Sequence, residues 1–475
     1  MKMIKQLLSL FFFSLSAVLT AGNPPIQHLS DTFPAHWSYK DSLCTEIVFE
    51  QVMPDVDQWW KELKDPHLDS LIQLAVAQNY NLAVATNRIQ RSRAAMYAAA
   101  AQFYPTIKMN AGWTKEQTSG TIGLLPLAIE SYFTAALEMN WELDLFGSIR
   151  KRFKAQKANF HASQEEYVGV MVALAAQVGA AYVNLRASQE QLYVLHQNAD
   201  SQLKILKIVQ ARFDAGLTSQ LDVAQAKSVY SSTKASIPPV ETAIEGYMGA
   251  LAVLVGEYPQ NMRASLMEAT PMPDQIIPIT IGIPMALLMR RPDIRQAEKS
   301  IDAQAALLGA SKSDWLPQIF MSGSIGFESH QMNRLFKKKS VAFLIAPVLS
   351  WTLFSGTSRI QATREAKANL QASINSFNQL VLTAVQEADQ AMMAYRYSIK
   401  QIVALKEVRF QGEEVLNLSM ELYKEGLSDF QNVLDAQRSL LNYESQLVQA
   451  QNNSIQQLIT LYRALGGGWD YISEP

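Results

Sequence analysis

Few side chains in this 475-residue chain are spaced for covalent chemistry. The six histidines, His28, His36, His67, His161, His196 and His330, never fall in the His-x-x-x-His pattern of a helical metal site. Ser201 to Lys204 and Ser231 to Lys234 each match Ser-x-x-Lys, but both lie in helical surface patterns without the companion motifs of acylating enzymes. Gly466-Gly467-Gly468 reads as a helix stop, not a phosphate cradle, and no Gly-x-Ser-x-Gly elbow or nucleotide loop occurs. A lone cysteine, Cys44, excludes an internal disulfide and a cysteine-based metal centre. No catalysis, cofactor or metal is therefore expected. The polar groups that stand out are Glu138, Asn140 and Glu142, which alternate with Leu137, Met139, Trp141 and Leu143.

That alternation is the mark of a strand with one apolar and one polar face. The odd positions Phe133 to Leu143 are apolar; Ile107, Met109, Ala111 and Trp113 alternate with Lys108, Asn110, Gly112 and Thr114. Ile319, Met321, Ile325 and Phe327 alternate with Gln318, Ser322, Ser324 and Glu328, whereas Val341 to Trp351 alternates poorly. The spacing predicts strands at about 106–118, 131–143, 318–328 and 340–352, a length that crosses an outer membrane when tilted. Four strands cannot close a barrel alone, so copies of the chain are required if the sheet meets lipid.

What must hold these hairpins is helical. No proline interrupts the chain between Pro126 and Pro238 or between Pro347 and Pro475, and both stretches are rich in helix formers. Ile374, Phe377, Val381, Ala384, Ala388, Ala391, Tyr395, Ser398, Ile402 and Leu405 alternate spacings of three and four, as in a coiled-coil seam. Leu174, Val178, Ala181, Leu185, Ser188, Leu192, Leu195 and Ala199 repeat the pattern. A helix of about 70 residues at ~1.5 Å each is a rod of roughly 105 Å.

The chain is an internal duplication. Trp141 and Trp351, Gly216 and Gly426, and Gly256 and Gly466 are each 210 residues apart, and Pro105 and Pro317 pair at 212. The first repeat spans 65–256, with a long helix at 146–215 and a return helix at 218–256. The second spans 285–467, with helices at 354–425 and 427–465. A linker at 257–284 joins them, and 468–475 is a tail. With 48% hydrophobic residues, 18% charged and 41 − 43 = −2 net charge, disorder and a polybasic nucleic-acid binder are excluded. Lys2 and Lys5 ahead of Leu7 to Phe13 and the small-residue end at Ala21 read as a signal peptide over 1–21, followed by an extended segment over 22–64 and by no membrane-spanning helix.

Trp141-Glu142-Leu143-Asp144-Leu145-Phe146-Gly147, Arg290-Arg291-Pro292-Asp293-Ile294 and the turns at Gly216-Leu217 and Gly426-Leu427, in this order and duplicated, resemble the TolC-like outer-membrane efflux proteins, in particular the OprM/NodT branch. The resemblance covers about Trp59 to Gly468. It implies a mixed α/β membrane protein: a homotrimer whose twelve-stranded outer-membrane β-barrel takes four strands per protomer and continues as a periplasmic α-helical coiled-coil barrel. It implies passive conduction of drugs or other small molecules, with type I protein secretion as the alternative, and partners in a periplasmic adaptor and an inner-membrane resistance-nodulation-division pump.

Residue by residue, the resemblance places Gly216, Leu217, Thr218, Gly426, Leu427 and Ser428 at adaptor-docking tips. Asp222 and Tyr423 become a periplasmic gate whose members bind each other, and Asn432 and Asp435 a selectivity ring. Glu138, Asn140 and Glu142 would line the barrel lumen while Phe133, Leu137, Met139 and Trp141 meet lipid. Many members carry a lipid on a cysteine at the end of the signal peptide; here Ala21 precedes Gly22-Asn23, and no lipid anchor is expected.

Overall fold

The computed structural model describes residues 47–49, 58–117, 129–268, 272–273, 279–281 and 289–467. The signal peptide, Cys44 and the tail lie outside these residues.

Each half begins with a helix that feeds a hairpin. In the first, α1 (Pro66–Gln78) starts on Asp65, whose Oδ1 accepts from His67 N at 2.9 Å, with Pro66 where its missing N–H costs nothing. α2 (Tyr80–Ala101) starts on Asn79, whose Oδ1 accepts from Asn81 N at 2.8 Å. The hairpin β2 (Thr106–Gln117) and β3 (Ile129–Leu143) follows, then α3 (Ser148–Asp214), a helix of 67 residues. The chain returns through α4 (Gln220–Ala235) and α5 (Ile237–Val255). Short α6 (Pro259–Met267) and a parallel pairing of β1 (Ile47–Phe49) with β4 (Ile279–Ile281) occupy the connection. The second half repeats the plan: α7 (Pro292–Ser313), β5 (Gln318–Ser329), β6 (Val341–Ser350), α8 (Ser358–Lys424), again of 67 residues, and α9 (Phe430–Ala464).

Two expectations need adjusting. The return helix expected over 218–256 is two helices meeting at Ser236, because Pro238 and Pro239 lack the N–H groups that an unbroken helix would use there. The segment expected to be extended over 22–64 forms a 3-10 turn at Trp59–Leu63, with Trp59 and Trp60 each only 3% exposed. By length and composition a stretch of α3 could cross a membrane, yet most of it is buried inside the protein.

Trp59 stacks on Tyr462 at 5.8 Å and anchors a core that includes Tyr182, Leu185, Leu251, Tyr395 and Ile459. Tyr182 donates to Asp65 Oδ2 at 2.6 Å, and burial together with that acceptor pushes its pKa up to about 12. Along α8 the seam is buried from Ile374 to Ile402; its serine, Ser398, donates from Oγ to Tyr395 O at 2.6 Å.

The four long strands form one antiparallel sheet in the order β2-β3-β5-β6. Its register, Lys108 opposite Glu138, Glu138 opposite Ser324 and Ser324 opposite Leu344, fixes which residues share a face. One face carries Thr106, Lys108, Glu138, Asn140, Ser322 and Ser324. The other carries Ile107, Met109, Trp113, Leu137, Ile325, Phe343 and Ile345, all strongly exposed.

The duplication extends to hydrogen bonds. Trp141 Nε1 donates to Phe103 O at 2.9 Å, and Trp351 Nε1 donates to Trp315 O at 3.2 Å, each pinning a strand end to the helix that leads into the hairpin.

Candidate functional site

Two places in the molecule concentrate the polar residues singled out above: the wet face of the sheet and the pair of turns at the far ends of α3 and α8.

On the sheet, Glu138, Asn140 and Glu142 share a concavity of about 750 Å³ with Tyr104, Thr106 and Lys108. The period-two geometry of β3 puts all three on this face, and the antiparallel register sets Lys108 directly across from Glu138 on the neighbouring strand. At the strand's inner end Asp144 begins α3: Oδ1 accepts from Ile149 N at 3.1 Å and Oδ2 from Arg150 N at 2.9 Å. Of the residues assigned to the opposite face, Leu137 is exposed, whereas Phe133, Met139 and Trp141 are half-buried, Trp141 because its indole turns to Phe103.

The turns are built from one backbone motif used twice. α3 ends with Gly216 at φ 72°, whose N–H reaches Phe213 O at 2.8 Å while Leu217 N reaches Arg212 O at 2.8 Å. α8 ends with Gly426 at φ 74°; Gly426 N reaches Tyr423 O at 3.1 Å and Leu427 N reaches Leu422 O at 2.9 Å. This double closure needs positive φ, which glycine adopts without strain. It leaves the next side chain in solvent: Leu217 is 65% exposed and Leu427 76%.

The side chains around the two turns differ. Thr218 donates to Asp222 Oδ2, and Ser219 donates to Asp222 Oδ1 at 3.0 Å. At the second turn Asn432 Nδ2 donates to Ser428 Oγ at 2.8 Å. Tyr423 is buried at 4% in a cluster with Ile205, Val209, Phe430, Val433 and Leu434, and its hydroxyl donates to Thr218 Oγ1 at 3.3 Å. The expected direct pairing of Tyr423 with Asp222 is thus replaced by a relay through Thr218. The ring is held against Phe430, 5.1 Å between centroids, so its hydroxyl meets the threonine that the aspartate already grips.

Sequence reasoning missed Arg212 here. Its guanidinium lies 4.9 Å from the centre of the Tyr423 ring and donates to Lys424 O at 2.6 Å. It brings a cation to the tip from the other half of the chain. Nothing local marks it, because its partners lie in the other half of the chain.

Asn432 and Asp435 are exposed on the face of α9 opposite buried Val433 and Leu434. Gln431 Nε2 donates to both oxygens of Asp435, at 3.0 and 3.1 Å. Among the described residues no cluster of three or more metal-ligating side chains occurs. The arrangement thus offers polar and anionic surfaces on the sheet and at the tips.

The sequence model of a family described as outer membrane efflux protein matches residues 71–257 and 283–467. The toluene efflux pump outer membrane protein TtgF of Pseudomonas putida is 27% identical over 418 residues, 87% of this chain and 86% of that protein. The pyoverdine export outer membrane protein OpmQ of Pseudomonas aeruginosa is 26% identical over 426 residues, 87% of this chain and 88% of that protein. Among solved structures, the outer-membrane channel OprN superposes with a TM-score of 0.84 at 28% identity, covering 89% of this chain and 94% of its own. The open MtrE channel of Neisseria gonorrhoeae shares the fold, with a TM-score of 0.78 at 24% identity over 94% of this chain and 97% of its own.

Proposed function

This chain belongs to the outer membrane efflux protein family, and from that premise we propose that it works as a homotrimer, the exit duct through which a tripartite pump releases small organic molecules. The protein is an outer-membrane efflux channel with a large helical extension into the periplasm, as its relatives and solved neighbours are. Relatives named for toluene and for pyoverdine motivate the small-molecule cargo.

The observation that carries the assembly is the open, two-faced sheet. β2 and β6 are its edges, and an unpaired strand edge is untenable in hydrocarbon. Two copies would supply eight strands, whose interior side chains fill the lumen; three supply twelve and leave a passage. With Lys108, Glu138, Asn140 and Glu142 turned inward, that passage is wet, and the apolar face meets lipid. Crosslinking of the full chain should give a ladder ending at three copies. One ending at one or two refutes the trimer.

Exposed Leu217 and Leu427 are proposed as anchors for a periplasmic adaptor, which links the duct to a proton-driven inner-membrane pump. Leu217→Glu with Leu427→Glu should abolish drug-resistance complementation while trimers persist; unchanged susceptibility argues against docking here.

The relay of Tyr423, Thr218 and Asp222 supports a closed periplasmic end, and exposed Asp435 supports a ring of carboxylates by symmetry. Asp222→Ala with Tyr423→Phe should raise resting conductance, and Asp435→Asn should lower cation selectivity. Recordings unaffected by either change place the constriction elsewhere.

A further inference from the structure

The turn of the second hairpin, between β5 and β6, carries a concentrated positive charge. Arg334, Lys337, Lys338 and Lys339 set four cationic side chains within six residues of a chain whose net charge is −2. All four are exposed, and none of their side chains has an ion pair or hydrogen bond among the described residues. The turn is nevertheless ordered. Lys337 N reaches Arg334 O at 3.1 Å, Ser340 N reaches Lys337 O at 2.9 Å, and Ser340 Oγ donates to Arg334 O at 2.8 Å. Leu335 is buried at 3%, and His330 donates from Nδ1 to Ser131 O at 2.8 Å, tying the turn to β3.

Its direction is set by two rings. Phe336 meets Phe327 edge-on, with centroids 5.5 Å apart and planes at 70°. Phe327 pairs with Ala135 and Val341, so it belongs to the apolar face of the sheet. The turn therefore leans over the outward side of the sheet, not over its polar face. Phe336 itself stays 69% exposed, beside exposed Met332, Val341 and Phe343.

We propose that this turn docks the phosphate groups of the phosphorylated glycolipid that forms the outer leaflet. An amphiphile with an anionic head and acyl chains satisfies both halves of the surface: the cations above, and the apolar residues below. A lysine ammonium is a rotatable point charge suited to phosphate, and girdles of aromatic residues flank the apolar band of an outer-membrane barrel at both interfaces. A soluble anion would match the cations and leave Phe336 and Phe343 uncovered. Each basic residue beside an anionic surface is worth roughly fivefold in affinity.

This inference rests on the apolar face being lipid-facing, and the test separates the two. Full-length protein in neutral detergent is titrated with bisphosphorylated lipid A, and bound lipid is read by native mass spectrometry. Binding should saturate and weaken with salt. Lys337→Gln, Lys338→Gln and Lys339→Gln together should weaken it about a hundredfold, and the corresponding triple arginine variant should stay within a few fold of wild type. Dephosphorylated lipid A should bind the unmutated protein as poorly as lipid A binds the glutamine variant, a comparison independent of how any variant folds. Equal binding by wild type and the glutamine variant overturns the proposal. So does displacement of lipid A by an equal concentration of inorganic phosphate, which would mark a free-anion site. Wild-type protein that inserts into vesicles and conducts ions yet binds no lipid A overturns this inference alone.

Discussion

Where each return helix ends, the two halves make the same joint with different chemistry. In the first half Asn79 Nδ2 donates to Leu254 O at 2.7 Å, and Gly256 at φ 79° lies against the Gln78 carbonyl. In the second, Arg291 donates to Ala464 O at 3.2 Å, and Gly466 at φ 73° lies against the Arg291 backbone. Backbone geometry has survived duplication; the donor has changed from a neutral amide to a cation. Arg291 also binds Asp293 and Glu387, each at 2.8 Å. Burial works against its charge, but the two carboxylates more than offset that, and its pKa lies above the usual value. A duplicated scaffold thus conserves what the main chain must do and lets side chains diverge wherever a donor of another kind can reach the same carbonyl.

The sharpest way to break this comparison is at the glycines. A Cβ on Gly256 would sit 2.6 Å from Gln78 O, whereas one on Gly216 would meet nothing within 4 Å. Positive φ alone costs an alanine ~1–2 kcal/mol, and forcing backbone apart adds ~1–3. Gly256→Ala should therefore lower stability by roughly 2–5 kcal/mol and Gly216→Ala by only about 1–2, read as the shift in thermal unfolding of the assembled protein. Equal shifts would mean that the joint is no tighter than the tip.

Next in size is the change of donor. Arg291→Met removes two charge-assisted contacts whose carboxylate partners are 41% and 47% exposed, so about 2 kcal/mol is expected after allowing for screening. Asn79→Ala removes one neutral bond and a helix cap, about 1–2 kcal/mol. Salt discriminates better than size: the loss at Arg291 should shrink as ionic strength rises, and that at Asn79 should not.

The tips differ more gently. Ser219 caps α4 through Asp222 N at 3.3 Å, whereas Asp429 at the start of α9 makes no side-chain cap. Ser219→Ala should cost about 1 kcal/mol and Asp429→Ala close to none, seen as faster amide exchange confined to the first turn of α4.

The smallest effect concerns Glu165, which is buried against α7 with Arg295 at 2.8 Å and has no partner for Oε2; its duplicate, Asn375, is exposed. Burial raises the Glu165 pKa above its ordinary value of 4.5, although Arg295 opposes the shift. The folded protein therefore holds this proton more tightly than the unfolded chain does. The contribution to stability is present at low pH and lost as pH rises through the folded value. Glu165→Gln should flatten that slope and change stability at neutral pH by less than ~1 kcal/mol, since the Arg295 pair is lost as well.

How far these features could be read from sequence follows from their range. β2, β3 and β5 are written in period two. β6 is not, because Leu344 and Val348 stand on the face that carries Glu138 and Ser324, Leu344 opposite Ser324 and Val348 opposite Phe320. The seam of α8 is visible because its partners recur every three or four residues. The Asn79 and Arg291 joints are invisible, since each links residues more than 170 apart. At the tips, the glycines mark the turns by themselves. That Thr218 stands between Tyr423 and Asp222, and that Arg212 covers the ring, depends on how two helices from opposite halves meet.

The pairing of β3 with β5 joins Phe133 to Ser329 across nearly the whole intervening chain. Each hairpin can form locally, but the seam between them waits until the whole first half and β5, near the start of the second, have emerged, because contacts so distant in sequence are slow to close. During that interval Ile107, Met109 and Trp113 face water along strands that still want neighbours, the situation in which chains pair with the wrong partner. Biogenesis is then a race whose outcome depends on how many sister chains are nearby. The yield of finished protein should rise and fall with the timing of synthesis and escort as much as with the strength of any contact in the final form.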